Sequence, residues 1–190
     1  DSYLFIDDQS YKNLEVEKNL HSGTRKGTLL SAMDTTMTAM GSRMLKQWMR
    51  YPLKDPKQII SRYDAIDESR NQYQSTCEMR DHLNRVYDIE RLRSKISMGH
   101  ANARDLLSLK QSLQNLPAIS HLLKNFRSPL FELSFDLPSL ESIALHIERA
   151  IREDAPPTLH EGGIVKEGFD PSLDELIQIT RDGKRWLVNL

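Results

Sequence analysis

Between Leu29 and Leu53 the chain reads LLSAMDTTMTAMGSRMLKQWMRYPL, and the spacing of its large apolar residues suits one regular structure. Met37, Met40, Met44, Leu45 and Trp48 recur at i, i+3, i+7, i+8 and i+11, a helical period, while Arg43, Lys46 and Arg50 fall mostly on the other side. This predicts an amphipathic helix with Met40, Leu45 and Trp48 in the core and its cations toward water. Both ends are signalled locally. Thr36 and Thr38 are residue types whose hydroxyls accept from the first free N–H groups of a helix. Pro52 has no N–H to donate and disfavours the helical region at Tyr51.

Similar signals recur along the chain. Asp55-Pro56 places a capping residue before a proline at the first helical position, predicting a helix toward Arg70 with Ile59, Ile60, Tyr63 and Ile66 inward. Gln72 to Val86 is weakly periodic, with Tyr73, Met79, Leu83 and Val86 as expected buried points. Asp88 opens a helix through Ile89, Leu92 and Ile96 that stops near Gly99. Asn102 caps the next, whose Leu106, Leu109, Leu113 and Leu116 run up to Pro117, where a separate short helix to Leu123 is expected. Pro138 begins a helix through Ile151 that Ala155-Pro156-Pro157 closes, and Asp170-Pro171 caps a last one, with Asp182-Gly183 as a bend. Tyr3 to Ile6 suits an extended entry. Gly162, Gly163 and Gly168 punctuate a connection around Ile164-Val165 that suits two short strands, where glycine supplies backbone angles other residues resist. No period of about 30–45 residues repeats, which argues against a solenoid. The expected fold is all-α, a non-repetitive multi-helix bundle with minor extended segments at the N-terminus and near Gly162–Gly168.

A length of 190 residues, 38% hydrophobic and 28% charged, fits one ordinary helical domain with wide solvated faces. No run approaches the roughly 18 apolar residues of a membrane span. The opening DSYLF lacks a basic n-region, and the single cysteine, Cys77, permits no internal disulfide. Those features point to a cytoplasmic protein without a membrane partner. A net charge of −1 argues against the chain-wide basic surface of a small autonomous DNA-binding domain. Arg80 to Lys110 is locally basic, but interleaved acids make a solvated, ion-paired face the ordinary reading. Arg43, Asp88, Glu90 and Arg91 are accordingly read as ion pairs that fix helix register in preference to direct DNA contacts.

No catalytic, cofactor-binding or metal-ligating set is legible. The one Gly-Lys step, Gly183-Lys184, lacks the upstream glycine of a phosphate-cradling loop and is followed by Arg185. Histidines at 21, 82, 100, 121, 146 and 160 have no metal-ligand spacing, and no G-x-S-x-G elbow exposes a serine. The acid pairs Asp7-Asp8 and Glu153-Asp154 are adjacent residues whose side chains point apart, so helix-end and turn roles are expected for them.

The wording of several blocks resembles the core of MutS-type mismatch-repair proteins. The pattern is read at Leu29, Asp34, Thr36, Thr38, Met40, Gly41, Ser42, Arg43, Leu45, Lys46, Trp48, Pro52 and Leu53. Supporting blocks, in family order, are IDDQSYKNLEV, with Ser10 where the family usually has Thr, then Asp88 to Leu92, Ala103 to Leu106 with Leu109, and Gly162 to Asp170 followed by Leu173 to Leu176. The resemblance implies a helical core, or lever, at 1–160, then a turn-rich connector and the start of a long helix at 161–190 leading toward a DNA-gripping clamp. It implies a longer protein that binds mismatched double-stranded DNA, uses ATP and Mg²⁺ in a separate ATPase domain, forms a homodimer and meets a MutL-type partner. The family's mismatch-reading F-x-E is absent, since none of Phe5, Phe126, Phe131, Phe135 and Phe169 has Glu two residues on. These residues are therefore expected to form no enzyme and to bind DNA weakly and without regard to mismatch. Rival readings are a helical protein-interaction scaffold and, less well supported, a small helical hydrolase.

Overall fold

Capping side chains set most helix boundaries in the computed structural model, which describes residues 3–132 and 137–188. The Asp7 carboxylate accepts from the Gln9 and Ser10 amides to start α1 (Asp8–Asn13), and Thr28 caps α2 (Leu29–Met33). Thr38 Oγ1 accepts from Gly41 N at 3.0 Å to open α3 (Ala39–Arg50). Asp55 and Pro56 open α4 (Pro56–Asn71), and α5 (Tyr73–Leu83) follows after a short break at Gln72. Asp88 caps α6 (Ile89–Ser97). α7 (Ala103–Leu123) begins with a reciprocal box in which Asn102 and Asp105 each take the other's amide, at 2.9 and 3.1 Å. α8 (Leu137–Ala150) and α9 (Pro171–Val188) complete the order, with Asp170 accepting from Ser172 N and Leu173 N at the start of α9. Each such cap contributes on the order of 1 kcal/mol.

α7 is the axis. It packs most extensively along α8 and also against α5 and α6, while α4 rests on α5 and on a 3₁₀ turn, Pro129–Phe131. The main core cluster is built from Ala103, Ile147, Ala150, Ile151 and Ala155, with Leu106, Leu107, Leu109 and Ile164 against it. Small residues at 103, 150 and 155 let the backbones approach closely. Separate buried points are Leu92, Leu113, Ile119 and Phe126, and, near the start of the chain, Tyr11, Val16 and Leu30. Extended structure among the described residues is confined to two isolated antiparallel bridges, Tyr3 to Leu53 and Ile151 to Val165. The fold is all-α, as the sequence predicts.

Four local expectations are corrected. Pro117 lies inside one continuous helix, α7, rather than between two. A proline removes one backbone hydrogen bond but leaves φ helical, and a helix packed along α8 and α5 can carry that local loss. α8 ends at Ala150 because Ile151 leaves the helix to pair with Val165, where Arg152 N reaches Ile164 O and Lys166 N reaches Ala150 O. α4 turns Ile60, Tyr63 and Ile66 outward and buries Ala65, while Glu68 accepts the Arg127 and Ser128 amides. Tyr73, expected inside, is exposed.

Candidate functional site

α3 is held by the side its cations occupy. Arg43, Lys46 and Arg50 recur along one face and each meets acid from another segment. The Arg43 guanidinium forks onto Asp88, with Nη1 and Nη2 both at 2.7 Å from its oxygens, and Nε donates to Glu90 at 3.1 Å. Asp88 at the same time caps α6 by accepting from Arg91 N at 3.2 Å, so one carboxylate starts α6 and ties it to α3. A planar fork on a carboxylate fixes orientation as well as distance, which a single-point contact does not. Arg43 holds the Asp88 carboxyl below its ordinary range, and the two acids push the Arg43 guanidinium further up.

The other two cations reach the start of the chain. Lys46 pairs with Glu17, whose carboxylate also accepts from the Tyr11 hydroxyl at 2.8 Å. Arg50 pairs with Asp8 and stacks over the Tyr11 ring, 4.4 Å from its centroid. Burial raises the Tyr11 phenol and the Glu17 contact raises it further. Burial also works against the Glu17 carboxylate, but hydrogen bonds from Lys46 and Tyr11 outweigh it, so Glu17 is held low. α1, the Glu17 loop and α6 are thereby all fastened to α3.

Asp34 organises the entry to α3. One oxygen accepts from Thr36 N at 3.1 Å and from the Thr36 hydroxyl at 2.6 Å, and the other takes Ser42 Oγ and Arg25. The Ser42, Thr36 and Arg25 hydrogen bonds together depress its pKa strongly. Gly41 fits here for a steric reason. A Cβ at that position would lie 3.1 Å from Thr38 Oγ1 and 3.3 Å from Thr36 Cβ.

Arg43, Asp88 and Glu90 of the expected set come together, while Arg91 enters through its backbone amide. Pro52 follows the end of α3, and its carbonyl accepts from Leu4 N at 2.7 Å beside the Tyr3 to Leu53 bridge. Gly162, Gly163 and Gly168 have φ of 69°, 68° and 83°, angles that a Cβ resists. The assignment of Trp48 and Met40 to the core is corrected. Trp48 is 43% exposed with the Arg62 guanidinium stacked 3.7 Å from its ring centroid, Met44 is exposed, and Met40 and Leu45 are only half-buried. Charge pairing turns the opposite face of α3 toward its neighbours. Arg50, expected in water, is half-buried for the same reason. Asp8, Tyr11, Glu17 and Asp34 were not singled out from sequence as members of this arrangement. The alternation of Asp34, Thr36 and Thr38 is a legible hint for Asp34, but the partners of Lys46 and Arg50 are too distant in sequence to be read locally.

A family model described as MutS domain III matches residues 9–185. The chain belongs to the MutS domain III family. Relatives named DNA mismatch repair protein MutS include that of Desulfatibacillum aliphaticivorans, 44% identical over the whole chain, and that of Symbiobacterium thermophilum, 44% identical over 99% of it. The one from Caldanaerobacter subterraneus is 38% identical over the whole chain. This MutS domain III chain spans 22% of the length of each of those relatives. Among the described residues no group of His, Cys, Asp and Glu could hold a metal ion, and no helix is long and apolar enough to cross a membrane.

Proposed function

We propose that this chain is the core, or lever, segment of a longer MutS-type mismatch-repair protein, and that its work is mechanical. In that role it connects an ATPase domain to a DNA clamp, both lying outside these residues. The observation that carries the reading is the Arg43 fork, which locks α3 to the first turn of α6 through a residue that also caps α6. A segment that transmits a displacement must move as one body, and a forked ion pair between α3 and the capped start of α6 works toward that by fixing their relative orientation. The longer protein would bind mismatched double-stranded DNA, act as a cytoplasmic homodimer and engage a MutL-type partner, with ATP and Mg²⁺ held by its ATPase domain. The relatives' names support mismatch repair as the setting. These residues carry no part of the nucleotide chemistry in this reading. The test is Arg43→Ala in the longer protein. ATP hydrolysis is expected to continue while ATP-triggered release of a mismatched duplex slows. Release at the unaltered rate would refute the coupling role.

A further inference from the structure

A polar cleft of about 590 Å³ runs along α7. Arg104, Leu107, Ser108 and Gln111 recur at i, i+3, i+4 and i+7 on one side of that helix and line it, with Tyr87 at one rim and the 153–155 turn after α8 at the other. Lys110 reaches the same cleft. It is only 7% exposed, and among the described residues its one partner is Glu153, whose side chain is 65% exposed. An ammonium has three donors, so a single contact to a carboxylate standing largely in water leaves it capacity for more. Among the described residues the Arg104 guanidinium, the Ser108 hydroxyl and the Gln111 side-chain amide make no hydrogen bond or ion pair. Of the two acids at the rim, Asp154 is held in a fork by Arg152 at 2.7 and 3.0 Å, and Glu153 is the one set on Lys110.

We propose that this cleft binds a phosphate monoester with a compact, flat body, in exchange for the Glu153 carboxylate on Lys110. Such an ester carries close to two negative charges at neutral pH and three acceptor oxygens, which suit Lys110, Arg104 and the Ser108 hydroxyl together. A carboxylate brings one charge and would only repeat the contact that Glu153 already makes. The exchange strands no ion. The Glu153 side chain is mostly in water before it moves, and Lys166 lies near enough to help hold its pKa down. The body follows from the rest of the lining. The cleft falls within the roughly 300–1,000 Å³ of small-molecule sites, more than a phosphate group fills, and Leu107 and the half-exposed Tyr87 ring offer apolar surface to a flat group.

The test is calorimetric titration of phenyl phosphate into the longer protein, parent and variants side by side. Any site outside the cleft is common to all of them, so the differences report the cleft. Lys110→Met and Arg104→Ala are each expected to weaken binding about tenfold or more, the worth of one charge-assisted hydrogen bond. Glu153→Gln removes the competing carboxylate and is expected to tighten binding. Arg104 is exposed and makes no ion pair, so its variant separates lost binding from lost folding. Inorganic phosphate is expected to bind the parent more weakly than phenyl phosphate does. No binding by the parent, equal affinity in the parent and either cation variant, or weaker binding in Glu153→Gln overturns the site. Inorganic phosphate binding as tightly as phenyl phosphate overturns the flat body. Neither ATP hydrolysis nor DNA release is read, so the lever role stands or falls separately.

Discussion

Replacing Asp34 with alanine removes the acceptor that shapes the α2–α3 junction, and the structure sets the size of the loss. The carboxylate takes the Thr36 amide and hydroxyl, Ser42 Oγ and Arg25, and its side chain is only 7% exposed. The Arg25 pair is half in water and contributes at most about 1 kcal/mol. Hydrogen bonds to a charged acceptor are individually about 1.5–3 kcal/mol, but those sharing one carboxylate do not add, so Asp34→Ala is expected to cost about 2–4 kcal/mol. Asp34→Asn keeps one acceptor oxygen and should lose roughly half of that. Because the folded carboxyl titrates below its ordinary value of 3.8, its contribution is complete at neutral pH, fades as pH falls past that value and is gone below the folded pKa. Urea unfolding followed by circular dichroism, repeated from neutral pH into acid, measures both effects. A change within about 0.5 kcal/mol for Asp34→Ala at pH 7, or an acid limb of the same steepness in Asp34→Asn, would refute the reasoning.

Four further substitutions follow from packing. Pro117→Ala restores a backbone donor in the middle of α7 and should stabilise by about 1–3 kcal/mol in the same urea assay. Lys110 is buried against the more exposed Glu153, so Lys110→Met should stay within about 1 kcal/mol of the parent, whereas Glu153→Ala strands the ammonium and should cost about 1–3 kcal/mol. Trp48→Ala should cost only about 1–2 kcal/mol on denaturant unfolding, well below the roughly 3–5 of a fully buried aromatic, because the ring is part exposed under Arg62.

Helix ends were legible because capping is local chemistry. Thr38, Asp55, Asp88, Asn102 and Asp170 each act within three residues of their position, and a reader of the sequence can place them. Which side of a helix meets its neighbours was not legible. The stripes on α3 and α4 declare two amphipathic helices, but they do not say which side this chain itself covers. Arg43 meets Asp88 across 45 positions and Arg50 meets Asp8 across 42, and no window of a few turns contains both partners. The same distance problem hid the end of α8, where Ile151 answers to Val165 rather than to the prolines that follow. The candidate site was half visible for the same reason. Its Arg43, Asp88 and Glu90 members were named from sequence, while its Tyr11, Glu17 and Asp8 members emerged only when the fold brought them to α3.

The lever reading requires α3 and α6 to move as one body. Spin labels at Gln47 and Arg93, both exposed and on those two helices, report their separation in the longer protein bound to a mismatched duplex in a cysteine-free background. With and without ATP, the distance distribution is predicted to keep its mean and width, and in Arg43→Ala it is predicted to broaden. A shift of several ångströms on adding ATP to the otherwise unaltered protein, beyond the ~1–2 Å of ordinary helix adjustment, would mean that the Arg43 junction opens during the cycle and would contradict the account.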